Sequence, residues 1–371
     1  SIIFDFGICR MEKTTKKSGI QPHHRKKQSK CEHDIRYSKT TPKEVSQFFS
    51  KHTNVKDQSD APGVYQPVEP IQTCIGPIGK FVLQPGVFPR HASMGFFGKR
   101  RTGKSFSLRW IMYNCFRHIP FGVCFTNTSI NGFWQTYIPP FLVFQGLQMH
   151  RMDALINRQK GLIAKWKKEH PEECKKNPDA YKEAPELAAF VIFDDVIADR
   201  VAMQWNKDIN TFFVEGRHLC ITTFITTQHV KGIGPMLRGN LDIAQIQPMF
   251  QKEARMVLAD LYGGFLPHDL FLKLMDEVVV DEPLEGSTPQ DPKKYVRTMI
   301  VNDFENTPDP QTKFKWSEAE NPDDVEPGWR LVAEEYWKQN ERQIKMMGAI
   351  KGQTFDPIDR LDQFRSTARG G

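Results

Sequence analysis

The sequence predicts an α/β fold, with a mostly parallel central sheet flanked by helices and a disordered basic arm ahead of it. Three observations carry that expectation. The stretch Gly98-Lys99-Arg100-Arg101-Thr102-Gly103-Lys104-Ser105 fits G-x-x-x-x-G-K-[ST], a phosphate-binding loop. It lies between an apolar run at 92–97 and an amphipathic run at 106–114 with Leu108, Ile111 and Met112 on one face. That strand-to-helix setting is what such a loop needs, because the anion must sit where backbone N–H groups and a helix N-terminus converge. Downstream, apolar runs that end in polar residues alternate with helical stretches, as in successive βαβ units.

Length and composition narrow the class. A chain of 371 residues with 39% hydrophobic residues can bury a full core. It contains no apolar run near the roughly 18 residues needed to cross a bilayer, and its start lacks a signal-peptide layout. A soluble intracellular protein is expected. The seven cysteines, Cys9, Cys31, Cys74, Cys115, Cys124, Cys174 and Cys220, are scattered without a C-x-x-C and read as reduced thiols. Net charge is +7, but residues 1–56 hold 13 Lys and Arg against 5 Asp and Glu, leaving 38 against 39 elsewhere. The basic character therefore belongs to the N-terminal segment, and the body alone announces no nucleic-acid surface.

Taken in order, residues 1–10 lack an initiator Met, Met11 reads as a start, and the fold argument begins after them. Residues up to 61 carry few apolar side chains and cannot bury enough surface to offset chain entropy, so they read as a mobile arm. Within it, the run from His23 to Lys30 is a localisation or phosphate-contacting patch or a solvated tail, and residues 42–49 a short docking helix. His23, His24, Cys31 and His33 match no standard zinc spacing. Residues 71–88 suggest a small β-element, 121–126 a strand parallel to the first, and 137–144 an extended Pro-containing piece that is not a central strand. Residues 147–169 read as an amphipathic helix with a solvated basic face, and 170–185 as a surface linker.

The second decisive stretch is the apolar run 187–193 ending in Asp194-Asp195. Carboxylates at the end of a buried strand are costly unless a cation meets them. About 90 residues after a phosphate loop, that cation is expected to be a nucleotide's Mg2+, held by Asp194 through water and by Ser105, with Asp195 orienting or deprotonating the attacking water. Residues 205–214 read as a helix and 219–227 as a strand ending at Gln228, an amide placed to sense the γ-phosphate. Arg217 ahead of that strand and Arg238 after it are both candidates for an arginine finger supplied to a neighbouring subunit, and the sequence does not choose between them. Residues 243–248 suggest a strand, 252–261 and 267–277 two helices, 295–301 a late strand, 314–316 an aromatic piece, and 329–347 a final amphipathic helix before a polar tail.

The loop at 98–105, the Asp194-Asp195 pair, Gly216-Arg217-His218 ahead of a strand ending at Gln228, Leu237-Arg238-Gly239-Asn240-Leu241-Asp242, and the segment from Ile300-Val301-Asn302 to Trp316 occur in the order found in poxvirus-type genome-packaging ATPases. These proteins of large nucleocytoplasmic DNA viruses belong to the FtsK–HerA superfamily. The chain resembles them over roughly residues 71–316. The resemblance implies a P-loop NTPase of RecA/FtsK-like fold that uses ATP and Mg2+ to drive double-stranded DNA into a capsid as a homo-oligomeric ring. It further implies partners among capsid or membrane proteins at the packaging vertex, and a location in the host cytoplasm at the viral factory and in the virion. In that reading Gly98 opens the nucleotide-binding loop, the N–H groups of Arg101, Thr102, Gly103, Lys104 and Ser105 cradle phosphates, Lys104 bridges the β- and γ-phosphates, and the chain divides into an arm (1–61), an ATPase core (62–316) and a C-terminal helix and tail (317–371). One departure is that many superfamily members carry Glu where this chain has the shorter Asp195. Two further readings are an ATP-dependent switch or scaffold with slow turnover, and a small-molecule kinase.

Overall fold

Strands apolar on both faces have to lie inside a sheet covered on both sides. That is where they lie in the computed structural model of the chain, which describes residues 69–196, 207–283, 294–305, 307 and 309–349. The arm with its basic patch, its His and Cys set, its docking helix and the C-terminal tail all fall outside the described residues. A short antiparallel hairpin, β1 (Ile71–Thr73) and β2 (Gly76–Ile78), leads into β3 (Ser93–Phe97), the phosphate-loop segment and helix α1 (Lys104–Ile111). Then follow β4 (Phe121–Thr126), β5 (Val143–Gln145), α2 (Met149–Glu169), β6 (Ala189–Asp194), α3 (Lys207–Val214), β7 (Ile221–Thr227) and β8 (Ile243–Ile246). The chain continues through α4 (Lys252–Tyr262), α5 (His268–Val278), β9 (Val280–Pro283), β10 (Lys294–Asn302), β11 (Phe314–Glu318) and α6 (Glu334–Ala349).

The main sheet runs β11-β10-β8-β3-β7-β6-β4-β5, with β9 beside the first half of β10. The six strands from β8 to β5 are mutually parallel, and β10 and β11 close one side antiparallel. Every residue of β3, β4, β6 and β7 is buried. Their register decides what meets at one edge: Phe97 of β3 pairs with Thr227 of β7, and Asp194 of β6 pairs with Thr226 of β7 and Thr126 of β4. The phosphate loop and the acidic pair therefore share the C-terminal edge of the sheet, where ligands of open α/β sheets bind.

Three expectations need correction. Residues 170–185 are more than a surface linker, because Tyr181 and Ala184 join Ile163, Trp166, Leu187 and Cys220 in a second apolar cluster. The helix expected from Trp329 begins at Glu334. Ahead of it Val332 sits at φ 71°, and the Leu331 and Ala333 N–H groups donate to Tyr137 O at 2.8 Å and Pro120 O at 2.9 Å, so tertiary bonds replace helical ones. The helix after the loop ends at Ile111 and passes into a π-turn at Met112–Phe116. The piece at 137–144 does end in a strand, β5, but on the edge of the sheet.

Residues beyond β11 are bound firmly to the rest. Arg109 of α1, its side chain buried, pairs with Asp323 at 3.2 Å and donates to Asn321 Oδ1 at 2.6 Å and to the Tyr137 hydroxyl. Tyr137 donates to the same Asp323 at 2.6 Å and stacks on Trp329 at 4.8 Å. Five cysteines in the described residues are free thiols, Cys115, Cys124 and Cys220 buried among them. No helix among the described residues is long and apolar enough to cross a membrane.

At the opposite, N-terminal edge, the half-buried ring of His91 donates from Nε2 to Lys182 O at 3.0 Å. Burial pushes its pKa down to about 4, partly offset by that bond and reinforced by Arg90, Lys182 and His118. With a folded pKa below the unfolded value near 6.5, only the unfolded chain gains this proton between those limits. Stability is therefore expected to fall as pH drops from about 6.5 to about 4, and denaturant titrations of wild type and His91→Gln should diverge across that window, the variant losing less.

Candidate nucleotide site

The loop after β3 is shaped by its backbone first. Arg101 and Gly103 lie at φ 64° and φ 84°, and Gly103 caps α1 with no side-chain acceptor. The first-turn N–H groups are thus left for an anion, in the alternating left-handed arrangement that makes a backbone concavity for one. Gly98 is required by closeness: a Cβ there would stand 2.7 Å from Thr102 Oγ1 and 2.8 Å from Gln247 Cβ. Thr102 Oγ1 ties the loop by donating to Lys99 O at 2.8 Å, and β8's continuation braces it, Pro248 O accepting from Lys99 N at 3.4 Å. Buried Gln247 reaches across to donate to Ser107 Oγ of α1 at 2.9 Å.

Lys104 is buried, and its ammonium donates to Gly98 O at 3.0 Å and Lys99 O at 2.7 Å. Burial pulls its pKa below the ordinary lysine range, with the charges of Asp195 and Asp194 acting against that. Lys99, Arg100 and Arg101 are exposed at the loop tip.

The acidic strand arrives on the same edge. Asp194, 3% exposed, accepts from Ser105 Oγ at 2.9 Å and Thr226 Oγ1 at 2.6 Å on Oδ1, and from Trp134 Nε1 at 2.8 Å on Oδ2. Three donors satisfy a carboxylate that burial would otherwise penalise. Asp195 turns out of the strand at φ 53°. Both its carboxylate oxygens accept from Gln228 Nε2 at 2.9 Å, its N–H donates to Thr226 Oγ1 at 3.1 Å, and its carbonyl accepts from Asn127 Nδ2 at 3.0 Å. A non-glycine residue in the left-handed region, held by four bonds, marks a place where the surroundings over-determine the backbone.

Lys104, Ser105, Asp194, Asp195 and Gln228 are therefore brought together, and the two arginines are not. Arg217 is exposed on a single turn, Gly216–His218, before β7. It lies at the other end of a seven-residue strand, roughly 20 Å of rise away. There it lines a cleft of about 200 Å³ with His91, Ser93, Phe212, Asn240 and Asp242. Arg238 is half-buried and donates to Val230 O of its own chain at 3.1 Å. Trp134, Thr226 and Gln247 were not singled out by sequence reasoning. The available signals were a tryptophan in a polar stretch after β4 and a Gln just past a buried strand; Thr226 is marked only by its register opposite Asp194, which the sheet sets.

Among the described residues no group of three or more His, Cys, Asp or Glu is arranged to hold a metal. The set present, one serine hydroxyl beside one carboxylate, still fits Mg2+, a hard cation that takes oxygen donors and fills its shell from water and phosphate.

No protein-family model matches the sequence. Uncharacterized protein L437 of Acanthamoeba polyphaga mimivirus is 26% identical over 196 residues, 52% of this chain and 62% of that protein. Uncharacterized protein 075L of Invertebrate iridescent virus 6 is 26% identical over 191 residues, 50% and 65%. The chain thus covers somewhat under two thirds of the length of these relatives. Similar solved structures include the genome packaging NTPase B204 of Sulfolobus turreted icosahedral virus 2 in complex with AMPPCP (TM-score 0.36, 10% identity, 62% of this chain and 98% of that one). EssC (ATPases 2 and 3) from Geobacillus thermodenitrificans gives TM-score 0.40 at 13% identity over 78% of this chain and 54% of that one. The pCW3 conjugation coupling protein TcpA with ATPgS gives 0.39 at 13% over 74% and 71%.

Proposed function

We propose that this chain is an ATPase whose turnover drives double-stranded viral DNA into a capsid. The observation that carries the nucleotide chemistry is the 2.9 Å bond between Ser105 and Asp194, which joins two motifs 89 residues apart at the edge where the loop's N–H groups converge. DNA as the driven partner, a ring of copies, capsid or membrane contacts at a packaging vertex and a place in the viral factory rest on the order of motifs in the sequence, not on fold likeness.

In this reading the loop N–H groups and Lys104 bind the phosphates, and Lys104 exchanges its two bonds to loop carbonyls for phosphate oxygens. Ser105 and Asp194 hold Mg2+, which when bound neutralises developing charge on the transferred phosphoryl group. Ser105 can do this while still donating its proton to Asp194, because a hydroxyl keeps acceptor lone pairs. Asp195 orients the attacking water and accepts its proton, and Gln228 sets the direction of that carboxylate. Arg217 is too far along β7 to serve its own loop, so as a finger it acts on a neighbouring copy. Arg238 would first have to give up Val230 O. An arginine from the next subunit makes hydrolysis depend on assembly.

One observation favours the slower-turnover alternative, a nucleotide-dependent switch: both oxygens of the short Asp195 carboxylate are engaged by Gln228. Measuring ATP turnover by the full chain with and without long duplex DNA separates the two. A motor is expected to show turnover raised about ten-fold or more by DNA, with steep salt dependence. Tight ATP binding without turnover, even on long duplex, would leave the switch.

A further inference from the structure

We propose, building on the nucleotide reading above, that Trp134 is a positioning residue for the divalent cation, acting through Asp194. Its indole N–H reaches Asp194 Oδ2 at 2.8 Å, while both hydroxyl donors, Ser105 and Thr226, converge on Oδ1. The two sides differ in kind. A hydroxyl rotates and both donates and accepts, whereas an indole N–H only donates and points where its ring points. With Oδ2 so held, the carboxylate plane is set and Oδ1 is kept toward Ser105, the other oxygen donor of the site.

The ring is itself immobilised. Trp134 is 1% exposed and meets Phe133 edge-on at 5.1 Å. Its carbonyl accepts from the N–H groups of Tyr137 and Ile138. Tyr137 is clamped in turn by its stack on Trp329, its bond to Asp323 and the Leu331 N–H on its carbonyl. A buried indole N–H usually finds an acceptor, so the competing account is that Asp194 merely satisfies Trp134. The two accounts differ in what the cation feels.

The test is Trp134→Phe, which keeps a ring and removes the N–H. Mn2+, visible by EPR, stands in for Mg2+ in the full chain loaded with a non-hydrolysable ATP analogue. The expected result is a loss of about ten-fold or more in Mn2+ affinity, the usual effect of deleting a partner of a metal ligand, with metal-free analogue binding unchanged. Unaltered Mn2+ affinity together with a lower unfolding midpoint would reduce Trp134 to packing and overturn the proposal. If the variant does not fold, the seven indole N–H resonances of 15N-labelled wild type answer instead. Mg2+ added to the analogue complex must shift a slowly exchanging indole resonance, and the absence of any shift overturns the assignment. Wild type that binds no analogue at all would instead overturn the nucleotide reading beneath it.

Discussion

Lys104→Ala is expected to abolish ATP binding and hydrolysis while leaving the fold in place. The side chain is buried, yet its bonds go to two carbonyls of its own loop, Gly98 O and Lys99 O, and not to the core. Burial already works against its charged form, so removing the ammonium relieves a desolvation cost as it deletes those bonds. What is lost is a fixed positive charge where phosphate charge would lie. Removal of one preorganised donor of that kind costs about 10²–10³-fold in rate, and binding falls with it because the same contact is made in the ground state. Isothermal titration with an ATP analogue, phosphate-release assays and an unfolding curve would check all three parts. A variant with native unfolding that still hydrolyses ATP at the wild-type rate would remove Lys104 from the phosphate site.

The second large effect is a separation of binding from turnover. Asp195→Asn keeps the size of the side chain and lets the amide face Gln228, but removes the charge that would take a proton from water. ATP-analogue affinity is expected to hold within a few-fold, while turnover drops about 10²–10⁴-fold, the range for loss of a general base. Asp194 would make a poor choice for this experiment. Its replacement leaves Ser105, Thr226 and Trp134 without their common acceptor, and unsatisfied buried donors cost stability as well as function. If Asp195→Asn turns over like wild type, the water-orienting role passes elsewhere, with Gln228 the nearest polar side chain.

Most of the parallel sheet was legible in the amino-acid order, because strands buried on both faces must be continuous apolar runs and these were bounded by glycines, prolines and polar turns. β3, β4, β6, β7 and β8 all lie inside the stretches expected for them. What escaped was structure held by distant partners. β9 is half-exposed, with the polar sequence Val-Asp-Glu-Pro, and exists by pairing with β10. Residues 329–333 have helical spacing, but the N–H groups of Leu331 and Ala333 go to Tyr137 O and Pro120 O.

The sequence by itself determined which chemistry is present: a glycine-bounded loop with Lys104 and Ser105, an acidic pair after a buried strand, and an amide closing the next one. Those are local patterns, set by backbone demands and burial within a few residues. Only the tertiary structure decided which of these groups meet. The order β3-β7-β6 places Thr226 between the two motifs, bonded to both Asp194 and Asp195. The return of the chain after β4 brings Trp134 under the carboxylate. The length of β7 carries Arg217 to the far edge of the sheet. Strand order and register are agreements between segments tens to a hundred residues apart, and no single segment encodes them.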